Sequence, residues 1–138
     1  VASPRYLSTH PRIAEPADLA KHSIIAMAHM GLDAWSFPPP EGSSIPRSVS
    51  FTPRLVVNNV RAAIASAVEG HGVVRLLSYH VATEIEQGDL QILLEDSEPA
   101  PLPVHLVSPY GRLAVPKVRA FDDFALPRLR ASFARLTA

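Results

Sequence analysis

The sequence predicts an α/β fold on a mixed or parallel sheet, and three observations predict it. The first is the run Arg54-Leu55-Val56-Val57-Asn58, short, β-branched and continuously apolar. Such a run suits a strand covered on both faces. The second is a helix and a further strand directly after it. Asn58 or Asn59 can cap the helix, and Val60, Ile64, Ala67 and Val68 recur at helical spacing as one buried stripe. Gly70-His71-Gly72 then ends that helix, because glycine accepts the left-handed conformation of a helix C-terminus. Gly72-Val73-Val74-Arg75-Leu76-Leu77 reads as a second buried strand. A strand–helix–strand unit of this length favours parallel pairing through a right-handed crossover. The third observation is composition: 47% hydrophobic against 19% charged residues over 138 gives a chain able to bury a core.

The other elements come in chain order. Ser3 can cap a short helix over about 4 to 9, with Pro4 suited to its first position, and Pro11 stops it. Glu15-Pro16-Ala17-Asp18-Leu19 repeats the pattern for one or two turns. Residues 23–28 form an apolar strand. Ala34-Trp35-Ser36-Phe37 and Ser48-Val49-Ser50-Phe51 read as short strands flanking the proline-rich loop 37–46. After the central unit, Ser78 caps a helix that runs to Gln87 and stops at Gly88. Residues 90–94 and 103–107 are two further strands. A last helix starts at Pro116, kinks or breaks at Pro127, and continues to about Arg135. The expected core of the central unit is Val56, Val57, Ile64, Val68, Val73 and Leu76.

Composition also narrows function. Basic and acidic residues balance at 13 each, so the chain has no basic patch to hold DNA by charge. Arg128, Arg130 and Arg135 read as a solvated helix face. The absence of cysteine excludes disulfides and thiolate metal sites and fits a reducing cytoplasm. No apolar run approaches the ~18 residues of a membrane span. Residues 1–6 lack the basic start and apolar stretch of a signal peptide. Six histidines include no HExxH pattern, and His71 and His80 read as structural or surface residues. No Gly-x-Ser-x-Gly elbow exists, and Asp122 and Asp123, adjacent on a helix, diverge. The expectation is no enzyme, no catalytic residue, no metal and no cofactor.

Several motifs then occur in a familiar order. Ala2-Ser3-Pro4-Arg5-Tyr6-Leu7 resembles an "ASPxYL" opening, and Glu15 to His22 resembles "xPxDLxxH". Trp35-Ser36-Phe37 resembles "WxF". Val57-Asn58-Asn59 followed by Gly70-His71-Gly72-Val73 resembles a strand, helix and "GxG" segment. Gly88-Asp89-Leu90 with Leu93-Leu94 resembles "GxLxxLL", and Lys117 to Phe124 resembles "KVRAFxDF". In this order the chain resembles the effector-binding domain of LysR-type bacterial transcription regulators over nearly its whole length.

The resemblance implies a two-lobed fold like that of periplasmic solute-binding proteins, with a small-molecule effector in the cleft between lobes. About 4–87 would be the second lobe, and about 88–138 the return into the first. It also implies a winged helix-turn-helix and linker helix outside this chain, DNA contact only through them, a homo-oligomer in the intact protein and a cytoplasmic location. Three positions depart from the family pattern: Ser78 where proline is usual, Val115 where serine often stands, and Pro127 within the last helix. A solute-binding protein of a transport system shares the architecture and is the alternative reading.

The candidate effector-binding residues are Ser3, Asn58, Asn59, Val60 and Gly72. A helix starting at Asn59 offers free amides and a positive dipole end, which can hold a carboxylate without a dedicated basic residue. Asn58 and Asn59 add side-chain donors, although plain helix capping explains each alone. Ser3 is either a cap or a ligand contact at the crossover between lobes. Trp35 and Phe37 are expected to pack the second lobe.

Overall fold

The computed structural model describes residues 1–40, 42–107 and 115–134. The chain divides into two compact units, Val1–Pro99 and Ala100–Ala138.

The first unit opens with helix α1 (Pro4–Leu7) and a 3-10 helix (Pro16–Lys21). Strands β1 (Ile24–Met27), β2 (Ala34–Phe37), β3 (Arg47–Ser50) and β4 (Leu55–Val57) come next. Helix α2 (Val60–Val68), strand β5 (Val73–Val74), helix α3 (Ser78–Glu86) and a 3-10 turn (Glu95–Ser97) complete it.

Among the described residues the main sheet has three parallel strands in the order β4-β1-β5. Ile25 stands between Leu55 and Val74, which sets the register. The expected parallel unit therefore exists, but β1 lies between its two strands. Strand β1 is the one buried on both faces, along its whole length. Strand β4, expected to be covered on both faces, is an edge strand, and Val56 is 50% exposed. A short apolar run does not encode which strand takes the centre of the sheet. Strands β2 and β3 form a separate antiparallel pair with Trp35 opposite Val49.

The core has a layer on each face of the sheet, and adjacent residues of one strand feed opposite layers. Ile24 and Val73 join Tyr6, Leu19, Trp35, Phe37 and Val49. Ile25 and Val74 join Met27, Ala63, Ala67, Val81 and Leu90. Helix α2 buries Ala63 and Ala67, while Val60, Ile64 and Val68 flank them half-buried. The buried stripe is thus centred on alanines, whose small side chains let helix and sheet approach. Of the expected core, Val57, Ile64, Val68 and Leu76 pack partly buried on the α2 side, Val73 is buried in the other layer, and Val56 faces solvent.

Three local expectations change. Ser78 does not cap α3: Leu77 holds the cap position, and Ser78 is the first helical residue. Residues 90–94 form no strand. Gln91 makes one antiparallel bridge to Ala2, and Leu94 adopts left-handed φ 61°, which turns the chain into the 3-10 turn. Residues 103–107 of the second unit form no strand among the described residues and are exposed, with Val104 64% and Val107 84% accessible. Prolines at 101 and 103 remove donors that a ladder would need.

The second unit contains helix α4 (Pro116–Ala134), which runs through Pro127 without a break. Its first turn closes on the Val115 carbonyl, which accepts from Val118 at 2.8 Å and Arg119 at 3.2 Å. None of its described residues is buried, so water can satisfy the carbonyl that Pro127 leaves without an amide. Arg135 lies outside the described residues. Among the described residues no helix is long and apolar enough to cross a membrane.

Candidate functional site

Parallel strands end together, so β4, β1 and β5 deliver their following residues to one edge of the sheet. In open α/β sheets that edge is where ligands bind. Three segments meet it here. After β4 come Asn58, Asn59 and the start of α2. After β1 come exposed Ala28 and His29, the Ala28 amide still reaching the Val57 carbonyl at 2.9 Å. After β5 come half-buried Arg75, Leu76 and Leu77, then exposed Ser78 and Tyr79.

Asn59 is a working N-cap. Its Oδ1 accepts from the amides of Arg61 at 2.8 Å and Ala62 at 3.3 Å, and its backbone carbonyl accepts from Ala63 at 3.1 Å. The cap therefore takes up most first-turn donors and leaves the Val60 amide. This limits what the helix end can offer an anion. Asn58 is exposed beside it.

Ser3 and Gly72 lie at the other end of the sheet. Ser3 is buried, and its Oγ accepts from the Tyr6 amide at 3.3 Å to cap α1. Gly72 enters β5 from its N-terminal end, against β1. A Cβ there would stand 2.3 Å from the Ser23 carbonyl oxygen. That oxygen accepts from the Val73 amide at 2.8 Å, so the strands cannot separate to make room. A Cβ on Gly70 would lie 3.6 Å from Ser3 Oγ, which places Ser3 beside this turn. The structure brings Asn58, Asn59 and Val60 together and gathers Ser3 with the Gly70–Gly72 turn, but it does not bring the two groups to one edge.

Sequence reasoning missed Arg75. Its Nη1 donates to the Ser36 carbonyl at 3.0 Å, and its guanidinium carbon lies 5.4 Å from the centre of the Phe37 ring. Burial lowers its pKa from the ordinary value. Among the described residues no carboxylate lies within 4 Å of it. Arg5 pairs with Glu69 at 3.9 Å and Lys21 with Asp18 at 3.7 Å instead. An arginine directly after a buried strand was the available signal, although its partners β2 and Phe37 are visible only in the fold.

Near Ser3 a buried polar knot fixes the "xPxDLxxH" segment. Tyr6 Oη accepts from the Ser23 amide at 3.0 Å and shares a hydrogen bond with His22 Nδ1 at 3.0 Å. The Tyr6 ring stacks on His10 with centres 3.8 Å apart. Desolvation, then the nearby His10, lowers the His22 pKa, against a raising contribution from Asp18. A separate open groove of about 470 Å³ lies between α2 and α3, lined by Arg61, Ile64, Val68, Glu84 and Gln87.

Comparison with known proteins bears on the family and the fold. The LysR substrate binding domain family matches residues 1–130. The probable HTH-type transcriptional regulator SinR of Salmonella typhimurium is 28% identical over 126 residues, covering 89% of this chain and 39% of SinR. The HTH-type transcriptional regulator PtxR of Pseudomonas aeruginosa is 32% identical over 124 residues, with the same coverages of 89% and 39%. The chain thus spans about two-fifths of the length of these relatives. Among solved structures, CrgA, a LysR-type transcriptional regulator from Neisseria meningitidis, superposes with TM-score 0.61 at 23% identity, over 72% of this chain and 33% of CrgA. Full-length AphB, the Vibrio cholerae virulence activator, gives TM-score 0.61 at 24% identity, over 69% of this chain and 32% of AphB. These likenesses show the fold, which is that of LysR regulatory domains and periplasmic-binding-protein-like. With a family match over residues 1–130 and the parallel sheet to go with it, the chain belongs to the LysR substrate-binding domain family.

Proposed function

We propose that this chain is the effector-sensing part of a LysR-type transcription regulator. It binds a small anionic metabolite, and occupancy modulates DNA binding by a winged helix-turn-helix outside the chain. The observation that carries the reading is the shared edge: three parallel strands end together and present Asn58, Asn59, the Val60 amide and Arg75. Balanced charge, 13 basic and 13 acidic residues, supports a module that leaves DNA contact to another domain. On this reading the intact protein is a cytoplasmic homo-oligomer and not an enzyme. Residues of about 4–87 form the second lobe and about 88–138 return to the first. The relatives' names, all transcriptional regulators, favour this over a transport binding protein. Ser3 and Gly72 support the site from the opposite end of the sheet rather than by contact.

The test uses the intact regulator. Asn58→Ala is expected to weaken the transcriptional response to effector more than it weakens promoter binding without effector. Equal loss of both would signal a folding defect and count against the pocket.

A further inference from the structure

We infer that Arg75 is the charge-reading residue of the effector site and that the effector carries a carboxylate or similarly planar anionic group. The inference rests on the effector-sensing reading and adds the residue that selects the ligand. Three features converge on it. Arg75 directly follows Val74, the last residue of β5, so it stands at the ligand edge of the parallel sheet. Its guanidinium is held on two sides, Nη1 on the Ser36 carbonyl and one face toward Phe37, both from β2. Among the described residues its Nε and Nη2 make no hydrogen bond and meet no carboxylate. Those two atoms form the edge that grips a carboxylate through parallel hydrogen bonds.

Arg75 is only half-buried, so water reaches its remaining donors, and among the described residues none of them is committed to a carboxylate. Arg75 thus has Nη1 anchored on the Ser36 carbonyl and, among the described residues, its Nε and Nη2 edge uncommitted, the arrangement of a preorganised receptor. The helix-end donors near Asn59 are largely taken up by the cap, so the charge that selects an anion comes from Arg75.

The experiment uses the full-length regulator and its Arg75→Met and Arg75→Lys variants. Thermal shift and calorimetry at constant ionic strength would compare acetate, benzoate, succinate and 2-oxoglutarate with their neutral amides. At least one carboxylate is expected to stabilise the wild type where its amide does not. Arg75→Met should weaken that binding roughly 10- to 100-fold, as loss of a charge-assisted bidentate contact does. Arg75→Lys should recover part of it, because lysine keeps the charge but not the fork. Without ligand, Arg75→Met should lower the melting point by no more than a few degrees, since it removes one exposed hydrogen bond to the Ser36 carbonyl and the Phe37 contact. A larger drop would make Arg75 a structural latch between β5 and β2 and overturn the inference. So would equal carboxylate affinity in Arg75→Met, equal affinity for amides, or no Arg75-dependent binding across the series. A regulator that responds at its promoter to a neutral compound through Asn58 would keep the sensing reading and discard Arg75. Arg75-dependent anion binding without any effect on DNA binding would do the reverse.

Discussion

Tyr6 does more than fill the core, because its hydroxyl bonds two neighbours at once, the Ser23 amide and His22 Nδ1. Tyr6→Phe removes both bonds in a buried setting. Urea denaturation should show a loss of about 1–3 kcal/mol. His22 adds a pH dependence. Its folded pKa lies below the ordinary 6.5 because burial disfavours the imidazolium. As pH falls from about 6.5, the unfolded chain takes up the proton first. Stability is therefore full above 6.5 and declines as pH falls toward the folded value. His22→Asn should flatten that decline in denaturation curves taken between pH 7.5 and 5.5; an unchanged slope would assign it to other groups. Residue roles were legible in the sequence where their partners are local. Asn59 caps α2 through Arg61 and Ala62, two and three positions away. Gly72 and Arg75 depend on Ser23 and Ser36, which are far away in sequence, so their roles emerge only with the sheet. Gly72→Ala should cost about 1–3 kcal/mol from the clash with the Ser23 carbonyl, measured by the same denaturation.

At the scale of elements, helix α2 illustrates how far periodicity reaches. The spacing of Val60, Ile64, Ala67 and Val68 correctly marks a helix with one apolar side. That stripe includes Ala67 but not Ala63, and packing centres the buried side on those two alanines. Large aliphatic residues dominate a pattern read from sequence, whereas the closest approach to a sheet belongs to the smallest residues. Two substitutions separate the readings. Ala63→Leu should destabilise by about 1–3 kcal/mol through overpacking against β1 and β5. Ile64→Ala, at a half-buried position, should cost less than the ~2–5 kcal/mol typical of a fully buried site. The reverse order in thermal melts would restore the sequence-based phase. Strand β4 teaches the same lesson. Leu55-Val56-Val57 has the composition of a central strand but occupies an edge, because pairing partners, not composition, decide position.

Across the whole chain the burial of apolar residues is uneven. In the unit Val1–Pro99 the sheet feeds a core layer on each face. In the unit Ala100–Ala138, Leu102, Val104, Val107, Phe121, Phe124 and Leu129 are exposed, and α4 has no buried residue among those described. The alternation of strands and helices conveyed the α/β class. That 103–107 form no strand among the described residues was not legible, because an apolar run specifies that a strand can form but not that a neighbour is present. Amide hydrogen exchange should be slow in β1, β4, α2 and β5 and fast over 102–107. The chain by itself should bind a hydrophobic dye or self-associate through the exposed residues of the second unit. Uniformly slow exchange in a dilute monomeric sample would contradict both expectations.

The bridge between Ala2 and Gln91 gives the stretch between them a modular character. The Ala2 amide reaches the Gln91 carbonyl at 3.2 Å and the Gln91 amide reaches the Ala2 carbonyl at 2.8 Å, so the chain leaves this stretch where it entered. A segment whose ends stand side by side can be lifted out of a host and replaced by a short turn, or transplanted into another, with little change to the backbone on either side. Residues 3–90 thus have the form of an exchangeable cassette, and recombination could swap the specificity proposed for Asn58 and Arg75 in a single step while the flanking chain stays as it was.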